Sequence, residues 1–313
     1  YAVEPLAVPD AQTLKAQTAK YQLALPAQNR LLPEQFELAN TTSEPREVIN
    51  EPGLSIWLQG SEAFAELPRG YAQVYLNSPL RQQEVDAAVM MVLWSDLYGL
   101  QQTALINEAS IAGMRLSLGL DEGLRLSISG FTDKQPELLS AALAGLRVNP
   151  DQQALDQAID RFVRGLENRK RELPFRQLGR TLSSLTRTGF FDEASLLDAV
   201  AEVTPTRFNA FVERVLDRAL VRVYLFGNYD EAFANDLAQT LQSALPEERA
   251  GATEYARERV YAPVSGQTLV KNTDLPVEDL GMMLLYAAPE ATVANEATGR
   301  VLARHLRNRA FDT

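Results

Sequence analysis

The chain has 313 residues, 46% of them hydrophobic, with 41 acidic against 30 basic side chains for a net charge of -11, no cysteine and a single histidine, His305. That length suggests about two domains with real cores, and the negative field gives no attraction to nucleic acid or an anionic membrane surface. Without cysteine there is no disulfide framework and no thiolate zinc site, and one histidine cannot furnish an imidazole set or a histidine-assisted triad.

Residues 1–50 are poor in periodic pattern and broken by Pro5, Pro9, Pro26, Pro33 and Pro45, so they read as an incoming connector or else a disordered leader. Only Asp10 to Leu25 has a helical texture, with Asp10 as its cap. The chain opens at Tyr1 without an initiator methionine, a basic n-region or an apolar h-region, and so reads as a piece of something longer. No apolar run approaches the roughly 20 residues of a membrane span.

Periodicity sharpens at Leu54. Leu54–Leu58 and Tyr71–Leu76 read as strands, the second ended by Asn77-Ser78-Pro79. Ser78 as cap and Pro79 at the first helical position start a long helix, with Val85, Val89, Val92, Leu93, Leu100 and Ala104 on one stripe. Met114–Leu118 and Leu124–Ile128 alternate strictly around Asp121-Glu122-Gly123. That pattern predicts a hairpin with Gly123 free to take positive φ, one buried face, and Arg115, Ser117, Arg125 and Ser127 together on the other. Further helices start at Pro136, running through Leu146, at Asn149-Pro150, burying Leu155, Ile159, Phe162 and Leu166, and at Thr204-Pro205. A strand Val221–Phe226 ends at Gly227-Asn228, a helix follows from about Glu231 to Ala244, and the unit closes in a polar run at 246–251. Thr268–Val270, Gly281–Tyr286 and a helix from about Val293 to Arg309 then repeat the order strand, strand, long helix at an offset of roughly 210 residues. One complete unit is thus followed by the start of a second copy, and 255–313 should be less stable than 54–246.

Few residues are placed for chemistry. His305 has Arg309 four residues on, so neither the direct nor the inverted zincin spacing is met, and it reads as a polar residue on a helix side. The pairs Asp121-Glu122 and Glu247-Glu248 fall in turns and linkers, where acidic residues are ordinary. Ser127 and Ser129 lack a histidine to activate them, leaving Lys134 as the one nearby base. No Gly-rich phosphate loop follows any strand. Arg161, Arg164, Arg169, Lys170 and Arg171 are interleaved with Glu167 and Glu172, the pattern of a solvated helix face, with a polyanion or peptide contact as the alternative.

The run Ser127-Ile128-Ser129-Gly130-Phe131-Thr132-Asp133-Lys134-Gln135-Pro136 resembles a segment of the insulinase and pitrilysin (M16) family of zinc metallopeptidases, in which a strand ends in a Gly-aromatic pair before Asp-Lys-Gln-Pro opens a helix. Other landmarks follow in the family's order. Tyr1–Pro5 resembles the linker after the second domain, and Leu25–Asn29 with Leu32–Leu38 the approach to the third. Asn77-Ser78-Pro79 resembles the turn before its first long helix, and Val203-Thr204-Pro205 with Leu225-Phe226-Gly227-Asn228 its late helices and last strand.

The resemblance implies an α+β fold, an antiparallel-dominated sheet backed by helices, followed by a truncated second copy. Residues 1–50 would be the connector, 51–250 the third homologous domain and 251–313 the beginning of the fourth. In such enzymes zinc is held in the N-terminal half, and the C-terminal half closes with it around a chamber that takes in peptides. The family's Leu-Arg-Thr segment with Gln-Leu-Gly-Tyr lies beyond the equivalent of Phe311-Asp312-Thr313, so no catalytic, metal or substrate-anchoring residue is carried onto this chain. The expected partners are the N-terminal half of the same enzyme and a peptide, with no nucleic acid and no membrane span, in a periplasmic or cytoplasmic parent. Two rivals are a peptide-binding or assembly module of an inactive relative, and an independent hydrolase gathering Asp133, Lys134 and Ser129 in a pocket.

Overall fold

A computed structural model describes residues 10–21, 28–245, 259–261, 266, 268–274, 278, 280–285, 290 and 292–311. Its centre is a six-stranded sheet of β1 (Arg46–Glu51), β2 (Leu54–Gln59), β3 (Arg69–Asn77), β4 (Arg115–Leu120), β5 (Gly123–Phe131) and β6 (Leu220–Gly227), in the order β1-β2-β6-β3-β5-β4. Only β2 and β6 run parallel, so the sheet is antiparallel-dominated as the resemblance implied. The period-two alternation explains the layering. Ile56, Leu58, Val74, Leu76, Leu124, Leu126, Val223 and Leu225 are each no more than 1% exposed on one face, at roughly 1.5–3 kcal/mol of favourable transfer per large side chain.

Helices cover that face. α3 (Val85–Gln101) buries Val89, Met91, Leu93, Trp94, Leu97 and Tyr98, and α5 (Gln135–Ala144), α6 (Gln152–Arg169), α9 (Pro205–Asp217) and α10 (Glu231–Ala244) complete the core. Buried aromatic polar ends find partners, as burial requires. The Trp94 indole N–H donates to the Leu146 carbonyl at 2.9 Å and the Tyr98 hydroxyl to that of Ala142 at 3.1 Å.

Several local expectations change. α1 (Ala11–Lys20), capped by Asp10, is shorter than the pattern suggested, and 22–27 lie outside the described residues. The connector also contributes a strand, β1, to the sheet edge. The long helix after Pro79 is three pieces: α2 (Leu80–Gln83), α3 and α4 (Thr103–Ile111), interrupted by extended backbone at Glu84 and a break at Gln102. Leu100 and Ala104 are exposed and do not continue the buried stripe. Gly123 does not take positive φ. It is required for space, since a Cβ there would fall 2.1 Å from the Leu76 carbonyl oxygen. Asp151, two residues past Asn149, caps α6, while Thr204 caps α9 as read. α7 (Pro174–Thr186) and α8 (Glu193–Ala201) were not foreseen.

Among the described residues of the expected second copy no strand is seen. Residues 268–270 and 280–285 carry no regular secondary structure and are exposed, and among the described residues no strand pairs with them; a strand needs a neighbour's ladder to satisfy its backbone. Instead the chain leans on α7. Gly281 sits so close to Pro174 and Leu178 that a Cβ would lie 2.8 and 3.0 Å from their carbons, and Val260 bridges to Arg187. α11 (Val293–Phe311) forms as expected, and the run 246–251, with Glu247 and Glu248, lies outside the described residues.

Candidate functional site

Three of the landmark segments meet at one end of the sheet. Asp133 accepts hydrogen bonds from the backbone N–H groups of Glu34 and Gln35 at 2.8 and 3.1 Å, and the Lys134 ammonium donates to Glu34 at 2.9 Å. Asn228 accepts from the Ala39 N–H at 2.6 Å and donates to the Glu37 carbonyl and the Thr132 hydroxyl. Beneath them the fully buried Tyr229 hydroxyl donates to Gln135 Oε1 at 2.6 Å, and Gln135 Nε2 donates to the carbonyls of Gly70 and Gly130 at 3.3 and 3.2 Å. Burial pushes the Tyr229 phenol far above its ordinary value, so it stays a donor. The shared residues of the landmarks are therefore a polar clasp that ties 34–39 across the strand ends.

That clasp dissolves the proposed hydrolase pocket. Asp133 is occupied by backbone amides, and the Glu34 hydrogen bond holds the Lys134 ammonium above its ordinary value, the opposite of what a general base needs. Ser129 lies on the other face of the sheet, in register with Tyr71 and Arg115. The basic run behaves as a solvated face. Arg161 pairs with Asp96 at 2.6 Å, Arg164 with Asp160, Lys170 with Glu167, and Arg180 with Glu172. His305 stands exposed on the side of α11, and among the described residues no group of three His, Cys, Asp or Glu side chains is placed to hold a metal. The described residues do not fit a zinc site.

Among the described residues, what the fold leaves uncovered is the second face of the sheet. Strand register sets its side chains in three rows. One runs Asn50, Ser55, Arg222, Tyr75 and Arg125; the next Glu47, Trp57, Tyr224, Gln73, Ser127 and Ser117; the third Gln59, Phe226, Tyr71, Ser129 and Arg115. The hairpin residues expected to share a face do so, alongside an aromatic and amide array that the hairpin alone could not reveal. Trp57 is 41% and Tyr71 37% exposed. The array is internally tied: Gln73 Nε2 donates to the Tyr71 hydroxyl at 2.5 Å, the Tyr75 hydroxyl to Gln73 Oε1 at 2.6 Å, and the Tyr224 hydroxyl to Gln59 Oε1. Burial raises the Tyr75 phenol, with Arg125 opposing, so it too remains protonated. This face offers stacking surfaces and amide hydrogen bonds but no nucleophile paired with a base.

Such a helix-backed sheet with one open face is an α+β unit. The family model for the middle or third domain of peptidase M16 matches residues 1–199, and the chain belongs to that family. It is 24% identical over 249 residues to Protease 3 of Shigella flexneri, covering 78% of this chain and 26% of that protein. It is 25% identical over 261 residues to the insulin-degrading enzyme of Drosophila melanogaster, covering 79% and 26%. The match to a putative zinc protease of Schizosaccharomyces pombe, mug138, is 25% over 299 residues, covering 91% and 30%. The chain thus spans about a quarter of the length of the first curated relatives it matches. Among solved structures, pitrilysin superposes with a TM-score of 0.69 at 25% identity over 79% of this chain and 27% of that one. A peptidase M16 inactive domain from Pseudomonas fluorescens shares the fold, with a TM-score of 0.53 at 15% identity over 66% and 52%.

Proposed function

We propose that this chain is a non-catalytic segment of an M16 zinc endopeptidase, with 51–250 the third homologous domain, 251–313 the start of the fourth and 1–50 the connector. Its partner is the enzyme's N-terminal half, which carries the zinc, and the open face of its sheet forms wall and closure surface of a chamber that holds peptide. The observation that carries the reading is that face: one side of every central strand is sealed against helices, while the other presents Trp57, Tyr71, Tyr75, Tyr224 and Phe226 with interleaved amides. Exposed aromatic rings on a scaffold with no catalytic pair suit non-covalent contact with an extended chain. The test is photo-cross-linking of a peptide carrying a photoreactive residue to the chain, mapped by mass spectrometry. Adducts on β2, β3 and β6 side chains of the open face are expected. Adducts confined to the helical side, or none, would refute it.

A further inference from the structure

We propose that α7 is the joint between the helix-backed sheet and the chain that follows it, a docking surface whose occupant is this chain's own apolar run 280–285. The inference stands on contacts within the chain and does not depend on the peptide-wall reading.

α7 has a partner available on more than one side. Pro174, Leu178, Leu182 and Leu185 recur at offsets of four, eight and eleven, which places them on one stripe of the helix. An apolar stripe of that kind ordinarily seals a core, yet Leu178, Leu182 and Leu185 take no part in the hydrophobic core. Away from the stripe the helix is fixed by polar bonds. Arg180 pairs with Glu172 at 2.7 Å and Glu193 at 3.5 Å and donates to the Arg169 carbonyl at 3.0 Å, while Gln177 donates to the carbonyls of Lys170 and Glu172. Those bonds tie α7 to the end of α6 and the start of α8 and leave the stripe for another partner.

Two independent sets of contacts identify that partner. On the stripe, Gly281 lies so close that a Cβ would fall 2.8 Å from Pro174 Cβ and 3.0 Å from Leu178 Cδ1, and Met283 Cε lies 3.9 Å from the place of a Cβ on Gly179. Shielding along the run alternates. Met283 and Leu285 are 41% and 45% exposed, whereas Leu280, Met282 and Leu284 at the alternate positions stand open to solvent. The second set lies past the end of the helix. The Thr188 N–H donates to the Arg259 carbonyl at 3.0 Å, the Tyr261 N–H to the Thr186 carbonyl at 2.6 Å and the Arg259 N–H to Thr188 Oγ1 at 2.8 Å, around the bridge between Arg187 and Val260. Apolar contact on the helix and backbone bonds beyond it thus hold the same following stretch of chain. The surface selects an apolar run with glycine at the crossing point, where only a bare backbone lies flat on Pro174 and Leu178.

Because the chain has no cysteine, two introduced thiols are unique reporters. The full chain carrying Gly179→Cys and Met283→Cys is treated with a short bismaleimide, and the intramolecular product is followed by mass spectrometry. The reference pair is Gly165→Cys with Met283→Cys, since Gly165 lies on α6 with open space around it. The docked pair should cross-link at least about tenfold faster than the reference pair, because docking raises the local concentration of one thiol at the other. Adding Gly281→Val overpacks the crossing point and should slow the docked pair about tenfold, to the reference rate. The circular dichroism melt should stay as in the parent, since Gly281 lies outside the core. Equal rates for the two pairs, or a docked pair insensitive to Gly281→Val, overturns the proposal. A product formed between two chains in place of the intramolecular one, rising with protein concentration, overturns it too and gives the stripe to a second copy.

Discussion

Removing the hydroxyl of Tyr229 tests the clasp that unites the landmark segments. Tyr229 and Gln135 are 1% and 0% exposed, and a 2.6 Å hydrogen bond joins the phenol to Gln135 Oε1. Tyr229→Phe keeps the ring that fills the space over Gly70, where a Cβ would lie 2.3 Å away, and strands a buried amide oxygen. An unsatisfied buried acceptor costs about 1–3 kcal/mol. For a unit of this size each kcal/mol is worth about 2–4 °C in Tm, so a fall of about 2–12 °C is expected by circular dichroism. Gln135→Leu should cost a similar amount, because it leaves the phenol and the carbonyls of Gly70 and Gly130 without their partner. The double variant removes both ends of the central bond and should be milder than the sum of the singles by about 1 kcal/mol or more. Additive singles, or a Tyr229→Phe variant as stable as the parent, would refute the argument that these positions act as one network.

Gly130→Ala should destabilise by about 2 kcal/mol or more, since Gly130 has φ 123° and a Cβ would lie 2.6 Å from the Gly113 carbonyl oxygen. Gly165→Ala, in α6 with open space around it, should stabilise by about 0.5–1 kcal/mol; urea melts of the two variants compare them. Acid should loosen the α6–α8 region. The Arg180 hydrogen bond holds Glu172 below its usual range, and the Ser195 backbone N–H does the same for Asp192. A depressed carboxylate stabilises the fold above its unfolded value and loses that contribution as pH falls through the folded one, so stability should drop below about pH 4. Arg180→Gln should flatten that acid dependence, measured by urea melts across pH.

The strands around the core were readable because Leu54–Leu58, Tyr71–Leu76 and the 114–128 hairpin alternate with period two, and Thr204-Pro205 announces its helix chemically. α7 escaped notice because Gly179, Thr181, Ser183 and Ser184 are poor helix formers, although Leu178, Leu182 and Leu185 keep helical spacing. The open face was readable only in its hairpin part, Arg115, Ser117, Arg125 and Ser127. Placing Trp57 beside Tyr224 needs the parallel pairing of β2 with β6, residues 165 or more apart in sequence in the Gln59–Tyr224 contact alone, and alternation along single strands carries no strand order. The clasp was half legible: its residues formed the resemblance, but only the fold shows that Asp133, Gln135 and Asn228 hold backbone rather than substrate.

The central claim is that this polypeptide takes part in peptide handling without performing the chemistry. The purified chain is incubated with a mixture of peptides and added zinc, and products are followed by mass spectrometry with and without a chelator. The peptides should remain intact under all conditions. Zinc-dependent cleavage that the chelator abolishes, from this chain alone, would contradict the account.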